Sequence, residues 1–207
     1  PTLTVVFGMQ AVRVLFSLAS FLLRDTYHWD AQYIGALGFA IFSTAFLAAP
    51  LCRLLGLRLM LIGTAGGLGL LRLAMQAWSG DLLVDFVLAS GGVVLFLLFL
   101  PTYLGYVRGR QEASHDFALG LLLGLSADVA LHGAFTTYDL AWDNGAATLV
   151  LIALLVALHA AFLWGLLCDA ESVRGDAREG SWSQVLPWLG LGPFLFLKLL
   201  LFQNLAR

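Results

Sequence analysis

The sequence predicts an all-α polytopic integral membrane protein with about seven transmembrane helices, and three observations support this fold class. Of 207 residues, 60% are hydrophobic and only 12% are charged, whereas soluble domains carry about 25% charged residues. The apolar residues fall into runs of roughly 20, the length that crosses about 30 Å of hydrocarbon. Polar segments separate these runs, so the chain consists mainly of predicted membrane spans.

Seven apolar runs reach this length, and each is followed by a polar or charged segment. A polar loop over residues 24–30 follows the first, and a short turn over residues 52–58 follows the second. Asp143-Asn144-Gly145, a strong turn signal, precedes the sixth. The predicted spans are Leu3–Leu23, Ala31–Leu51, Leu59–Trp78, Leu82–Tyr106, Phe117–Tyr138, Ala146–Leu167 and Val185–Leu205.

The distribution of arginine predicts the orientation. Segments after the even-numbered spans carry six arginines, and the opposite side carries two, Arg24 and Arg207. Cytoplasmic loops are enriched in basic residues, so we expect the N-terminus in the cytoplasm. The predicted location is the plasma membrane of a prokaryote. The six arginines are Arg53, Arg58, Arg108, Arg110, Arg174 and Arg178.

The order of six spans, a charged loop and a seventh span resembles the first half of a major facilitator protein followed by the first helix of its second half. In that family the loop between spans two and three carries the pattern G-x-x-x-D-x-x-G-R-[KR]. In residues 49–58, Gly56 and Arg58 match this pattern, whereas Ala49 and Arg53 replace the first glycine and the acid. The resemblance therefore implies the helix arrangement of the family and does not extend to the acidic residue.

This facilitator-type arrangement divides the chain into three segments. Residues 1–168 form the predicted six-helix transmembrane bundle, residues 169–184 a cytoplasmic linker, and residues 185–207 the first helix of a second bundle. The chain starts at Pro1 and ends at Arg207 directly after an apolar span. We expect it to be a fragment of a longer protein.

A second resemblance covers more of the chain. Several segments are similar to the membrane region of polytopic proteins that carry a C-terminal endonuclease/exonuclease/phosphatase domain, whose eukaryotic relatives remodel the lipid of GPI anchors. This resemblance implies a metal-dependent hydrolase domain beyond Arg207; the metal site of that hydrolase has no match here, so no catalytic residue is predicted. The segments are Gly120–Gly124 with Asp128, His132–Phe135, Tyr138–Leu140, Gly192–Phe196 and Phe202–Asn204.

Four ionisable residues inside predicted spans form the candidate binding site. Asp128 and His132 are four residues apart, so they share a face of the fifth span. Arg13 in the first span and Lys198 in the seventh fall at a similar depth, and Arg13 is the natural partner of Asp128 because an isolated charge in hydrocarbon is costly. The site would take a small solute, an ion, a proton or a lipid headgroup.

Three functions are compatible with this cluster. The bundle can be transporter-like, with the four residues lining a central polar cavity. It can instead be a non-transporting anchor that presents lipid to the hydrolase domain. In a structural subunit of a membrane complex, the same charges would set the helix register.

Other polar residues within the spans have local explanations. Arg72 and Gln76 near the end of the third span are predicted to meet Asp85 at the start of the fourth as a local clamp, and His159 is predicted to be packed or hydrogen-bonded. Gly63 and Gly67 have the small-xxx-small spacing that lets helices approach closely.

The remaining composition excludes several classes of partner. The net charge of −2 and the absence of a basic run argue against nucleic acid. No spacing of His, Cys and carboxylates resembles a metal site, and we expect no cofactor. Cys52 and Cys168 are too far apart in sequence to suggest a metal or disulfide framework. The predicted partners are the lipid bilayer and, at the candidate site, a small solute, a proton or a lipid headgroup, and the oligomeric state is left open.

Overall fold

The computed structural model describes residues 1–28, 30–78, 81–107, 115, 118–127, 129–130 and 146–168. Every element in these residues is helical, as expected where a backbone in hydrocarbon must pair all its own N–H and C=O groups. The helices are α1 (Thr2–Leu18), which continues as a π-helix over Ala19–Thr26, α2 (Ala31–Ser43), α3 (Ala48–Leu55), α4 (Leu57–Ala77), α5 (Leu82–Val107), α6 (Ala118–Ala127) and α7 (Ala146–Cys168).

Five helical segments of the described residues are long and apolar enough to cross a membrane, which confirms the all-α class. They are Thr2–Arg24, Tyr33–Leu55, Leu57–Ala77, Leu82–Val107 and Val150–Cys168. The shorter α6 covers the beginning of the predicted fifth span. Residues 128 and 131–138 of that span, the linker at 169–184 and the predicted seventh span lie outside the described residues.

The second predicted span differs from the observed one at both its middle and its end. A 3₁₀ turn over Thr44–Leu47 separates α2 from α3. Pro50 follows this turn and has no N–H to donate to the carbonyl oxygen four residues earlier. A turn was predicted over residues 52–58, whereas in the structure Gly56 is the single residue between α3 and α4. Its φ is 88°. Arg53 therefore lies in α3 and Arg58 in α4, and a side chain at Gly56 would strain the backbone.

Contacts between side chains fix the relative directions of the helices. From α1 to α4, Phe7 lies near Gly69 and Gln10 bonds Arg72, so these two helices are parallel. From α4 to α5, Gly67 lies near Leu95 and Leu71 near Gly91, so this pair is antiparallel. We call the side where α1 and α4 begin the near side, and the side where α4 ends and α5 begins the far side.

Helices α6 and α7 follow the same alternation. In α6, Gly120 lies near Pro1 and Gly124 near Val5, which makes α6 parallel to α1. In α7, His159 bonds Ala65, and Arg58 donates to the carbonyl of Leu167, so α7 is antiparallel to α4. This alternation is that of successive membrane spans.

The core is built around α5, which contributes to each of the buried clusters. Ala89, Val93 and Phe99 of this helix are completely buried. Helix α1 approaches it closely at Gly8, where a Cβ atom would lie 2.2 Å from Cδ2 of Phe96. Such approaches hold helices together where apolar burial from water contributes little.

The outer faces of the described helices are apolar. Phe39 of α2 and Leu158 and Trp164 of α7 each expose more than half of their surface. Soluble monomers rarely expose contiguous apolar surface of this kind, whereas lipid-facing helices do so throughout. The exterior therefore agrees with the membrane class predicted from composition.

Candidate functional site

The most buried charged residue among those that the structure describes is Arg72, which is 8% exposed. Its Nε donates to Oε1 of Gln10 at 2.8 Å, and its Nη2 lies 3.4 Å from Oε1 of Gln76. Gln10 is 8% and Gln76 9% exposed. These three residues form a buried polar cluster, which we call the Arg72 cluster.

Two parallel helices position this cluster. Arg72 and Gln76 are four residues apart in α4 and therefore lie on one face, one turn apart. Gln10 comes from α1, whose neighbouring residues Ala11 and Leu15 pack against α4 and α5 in a shared apolar core. The cluster is thus held between two helices and enclosed by apolar side chains.

The Arg72 cluster lies toward the far side of the bundle. Arg72 is five residues before the end of α4 at Ala77, which is about 7.5 Å along the axis. Asp85 is half-buried in the first turn of α5 on the same side. The sequence predicted a local clamp of Arg72 and Gln76 with Asp85, and the contact with Asp85 stays a prediction. The structure shows that Arg72 bonds to Gln76 and reaches across to Gln10 of α1.

His159 is a second buried polar residue, on α7, and is 2% exposed. Its Nε2 lies 2.9 Å from the carbonyl oxygen of Ala65; because a carbonyl only accepts, Nε2 carries the proton. The ring stacks on Phe162 with centroids 5.7 Å apart and meets Phe7 edge-on at 5.6 Å. Gly69 makes room for it. His159 is packed and hydrogen-bonded, as predicted.

Of the four residues of the predicted binding site, the structure describes one. Arg13 is half-buried in α1 and interacts with neighbouring groups. Asp128, His132 and Lys198 lie outside the described residues, so the pairing of Arg13 with Asp128 stays a prediction. Arg13 follows Gln10 by three residues, which places the two side chains on neighbouring positions of one helix face.

Gln10 is the member of the cluster that the sequence analysis missed. Its signal in the sequence is a single amide within the apolar first half of α1, three residues before Arg13. An amide in a membrane span usually bonds to another helix. Which helix it meets depends on packing, and the sequence alone did not indicate α4.

The chemistry available in this site is hydrogen bonding and charge. Among the described residues, no three His, Cys, Asp or Glu side chains lie close enough together to hold a metal ion. Arginine remains protonated in proteins, so the cluster carries a fixed positive charge. It can bind and orient a polar group.

Comparisons of the chain with known protein families, with curated proteins and with solved structures find no match.

Proposed function

We propose that this chain is a transporter-like membrane bundle that binds a small solute, an ion or a lipid headgroup at an interior polar site that includes the Arg72 cluster. The observation that carries this proposal is the burial of Arg72 between α1 and α4, where its guanidinium donates to the Oε1 atoms of two glutamines. Ligand pockets in helix bundles are typically apolar, with a few convergent polar groups of this kind.

The energetic cost of Arg72 supports a functional role. An arginine at the centre of a membrane helix costs about 2.5–3.5 kcal/mol on insertion scales, and Arg72, which lies nearer the end of α4, costs a part of this. Neutral contacts suffice to join helices, as the approach of Gly8 to Phe96 between α1 and α5 illustrates. A charge kept at this cost is a functional-site hypothesis by default.

The predicted site extends this proposal along α1. Arg13 lies one turn beyond Gln10 and would continue the polar surface away from the Arg72 cluster. Asp128, His132 and Lys198 stay predicted members of the same site. Together they would provide charges of both signs, which a transporter uses to bind and release a solute.

Uptake by proteoliposomes tests the proposal. Vesicles containing wild type, Arg72→Gln or Arg72→Lys are supplied with labelled phosphate, acetate, rubidium, glycine or glycerol, and ligand-dependent thermal stabilisation is measured in parallel. We expect at least one solute to be taken up or to stabilise the protein. Arg72→Gln should weaken that response about tenfold or more, since a hydrogen bond to a charged group contributes about 1.5–3 kcal/mol.

Arg53→Gln is the matched control, because it removes the same charge from an exposed position in α3. It should leave uptake and stabilisation unchanged. If Arg72→Gln lowers only the folded yield and alters no uptake and no ligand-dependent stabilisation, the Arg72 cluster is a structural clamp and the proposal is wrong. The sequence-based alternative, a membrane anchor for a hydrolase domain, stays a prediction.

A further inference from the structure

The second membrane-spanning segment consists of two helices that pack into the bundle to different degrees. Helix α3 leads into α4 through Gly56, so it forms the near half of this segment, and α2 forms the far half. We infer that α2 moves as a rigid arm about the 3₁₀ turn at Thr44–Leu47, while α3 stays fixed to α4 and α5. This conformational device goes beyond the proposed function and does not depend on it.

The 3₁₀ turn has the features of a hinge. It lies in the middle of the 23-residue apolar segment Tyr33–Leu55, and a 3₁₀ stretch within a helix often marks a hinge. The hydroxyls of Ser43 and Thr44 each donate to the carbonyl oxygen three residues earlier, at 2.7 and 2.6 Å. Such bonds compete with the helical backbone bonds and bend helices. Pro50 removes a further backbone bond, so the α-helical bonding is weakened on both sides of the turn.

The near half of the segment is anchored. Leu47 and Ala48 are only 7% and 3% exposed, and they pack with residues of α4 and α5 in one buried cluster. Farther along α3, Sγ of Cys52 lies 3.5 Å from Oγ1 of Thr102 in α5. Helix α3 and the end of the turn therefore belong to the packed body of the bundle.

Helix α2 packs less closely against its neighbours. Among its described side chains before Ser43, Ala36 alone is buried. A Cβ atom on Gly35 or Gly38 would have no described atom within 4 Å. In contrast, α1, α4, α5 and α6 each have a glycine at which a Cβ atom would lie closer than 3.0 Å to another helix. Segments with few buried apolar contacts open at a lower cost in free energy than the core does.

The chain that enters α2 provides a second joint. Helix α1 continues as a π-helix over Ala19–Thr26, and His28 has a φ of 54°, so the regular α-helix is interrupted before α2 as well. Asp30 and Tyr33 interact with neighbouring groups, and the start of α2 is thus in contact in the position observed. A rigid helix between two joints is the usual arrangement of a hinged element.

The length of α2 determines how far its beginning can move. Thirteen residues form a helix about 20 Å long, so a change of about 20° at the turn moves its first residues by about 7 Å. Ile41 packs against the core that contains Ala11 and Met75. These two residues adjoin members of the Arg72 cluster in sequence. Movement of α2 therefore changes the packing of the far-side core that borders this cluster.

Distances between pairs of spin labels test the inference in the full chain, in nanodiscs of phosphatidylcholine. Both native cysteines are replaced by serine. The far pair, Gly35→Cys/Val150→Cys, joins α2 to α7, and the near pair, Arg53→Cys/Gly165→Cys, joins α3 to α7; all four positions are exposed. We expect the distance distribution of the far pair to be broader than that of the near pair by about 5 Å or more, or to have two peaks.

Variants of the turn show whether it is the hinge. Ser43→Ala/Thr44→Val/Pro50→Ala removes both hydroxyl bonds and restores the missing N–H, so α2 and α3 should join as one helix. The far distribution should then narrow to the width of the near one. Ser90→Ala/Pro101→Ala makes the same kinds of change in α5, which is a continuous helix, and should leave the far distribution broad. If the triple variant does not fold, Pro50→Ala replaces it and should narrow the distribution in part.

Two results would overturn the inference. If the far and near pairs have distributions of equal width, α2 is no more mobile than α3. If the far distribution is broad but the turn variants leave its width unchanged, the movement does not occur at the 3₁₀ turn. Neither measurement involves a ligand, so the result is independent of the uptake experiments that test the proposed function.

Discussion

Arg72 and His159 illustrate two ways in which a membrane bundle accommodates a buried polar side chain. Arg72 carries a permanent charge, so it depends on partners from its own helix and from α1. His159 donates from Nε2 to one backbone carbonyl and is otherwise enclosed by aromatic rings. Nδ1 has no hydrogen-bond partner among the described residues. The first residue is a candidate for function, and the second is explained by packing.

This difference predicts how His159 responds to substitution. His159→Phe keeps a ring between Phe7 and Phe162 and removes one hydrogen bond, so the free energy of unfolding should change by no more than about 1 kcal/mol. His159→Ala leaves a cavity and should cost about 3 kcal/mol. Denaturation in detergent measures both. A folded His159→Phe that loses ligand binding would show that the imidazole has a functional role.

At the scale of elements, glycine positions decide which helix faces meet. The spacing of Gly63 and Gly67 in α4 predicted close packing at both residues. A Cβ atom on Gly67 would lie 2.7 Å from Cδ1 of Leu95, whereas Gly63 has no described atom within 4 Å of that position. Among the described glycines, Gly8 in α1 makes the closest approach, against Phe96 of α5. The spacing indicated a packing helix, and among the described residues the contact is made at Gly67 and not at Gly63.

Gly8→Ala should therefore destabilise the bundle by about 1–3 kcal/mol, because the new methyl group would overlap the ring of Phe96. Gly63→Ala is the control and should be neutral or stabilising by up to about 1 kcal/mol, as alanine favours the helix. Unfolding temperatures of the two variants and of Gly8→Ala/Phe96→Leu measure the effect. Equal stability of Gly8→Ala and Gly63→Ala, or no recovery in the double variant, would contradict this packing.

At the scale of the whole molecule, the alternation of helix directions gives the bundle two distinct sides. Arg53 is exposed at the near side beside Gly56, and Asp81 is exposed at the far side before α5. The arginine distribution predicts that the near side is cytoplasmic. The Arg72 cluster, near the far side, would then be reached from outside the cell.

Cysteine labelling tests this topology. In a Cys52→Ser/Cys168→Ser background, a membrane-impermeant maleimide should label Asp81→Cys in intact cells and Arg53→Cys only after lysis. The reverse pattern would overturn the predicted orientation but keep the alternation. Labelling of both positions from the same side would contradict the alternation itself.

Composition and periodicity determined the class of this protein. Apolar runs of about 20 residues in a chain with 12% charged residues require helices, since a spanning backbone has to pair its own polar groups. Four spans, beginning at Leu3, Leu59, Leu82 and Ala146, were predicted with boundaries close to those observed. The 3₁₀ turn within the second span was not predicted, because a single proline does not indicate which residues leave the α-helical conformation.

Tertiary structure alone decided which polar residues meet. Arg72 and Gln76 were recognised as polar positions, but Gln10, the partner of Arg72 on α1, lies 62 residues from it in the chain. Sequence spacing identifies neighbours on one helix, because the helical repeat is regular. Partners on different helices depend on how α1 is rotated and shifted against α4. Close contacts such as that between Gly8 and Phe96 set this rotation. They form only in the packed bundle, so the spacing of residues in the sequence does not predict them.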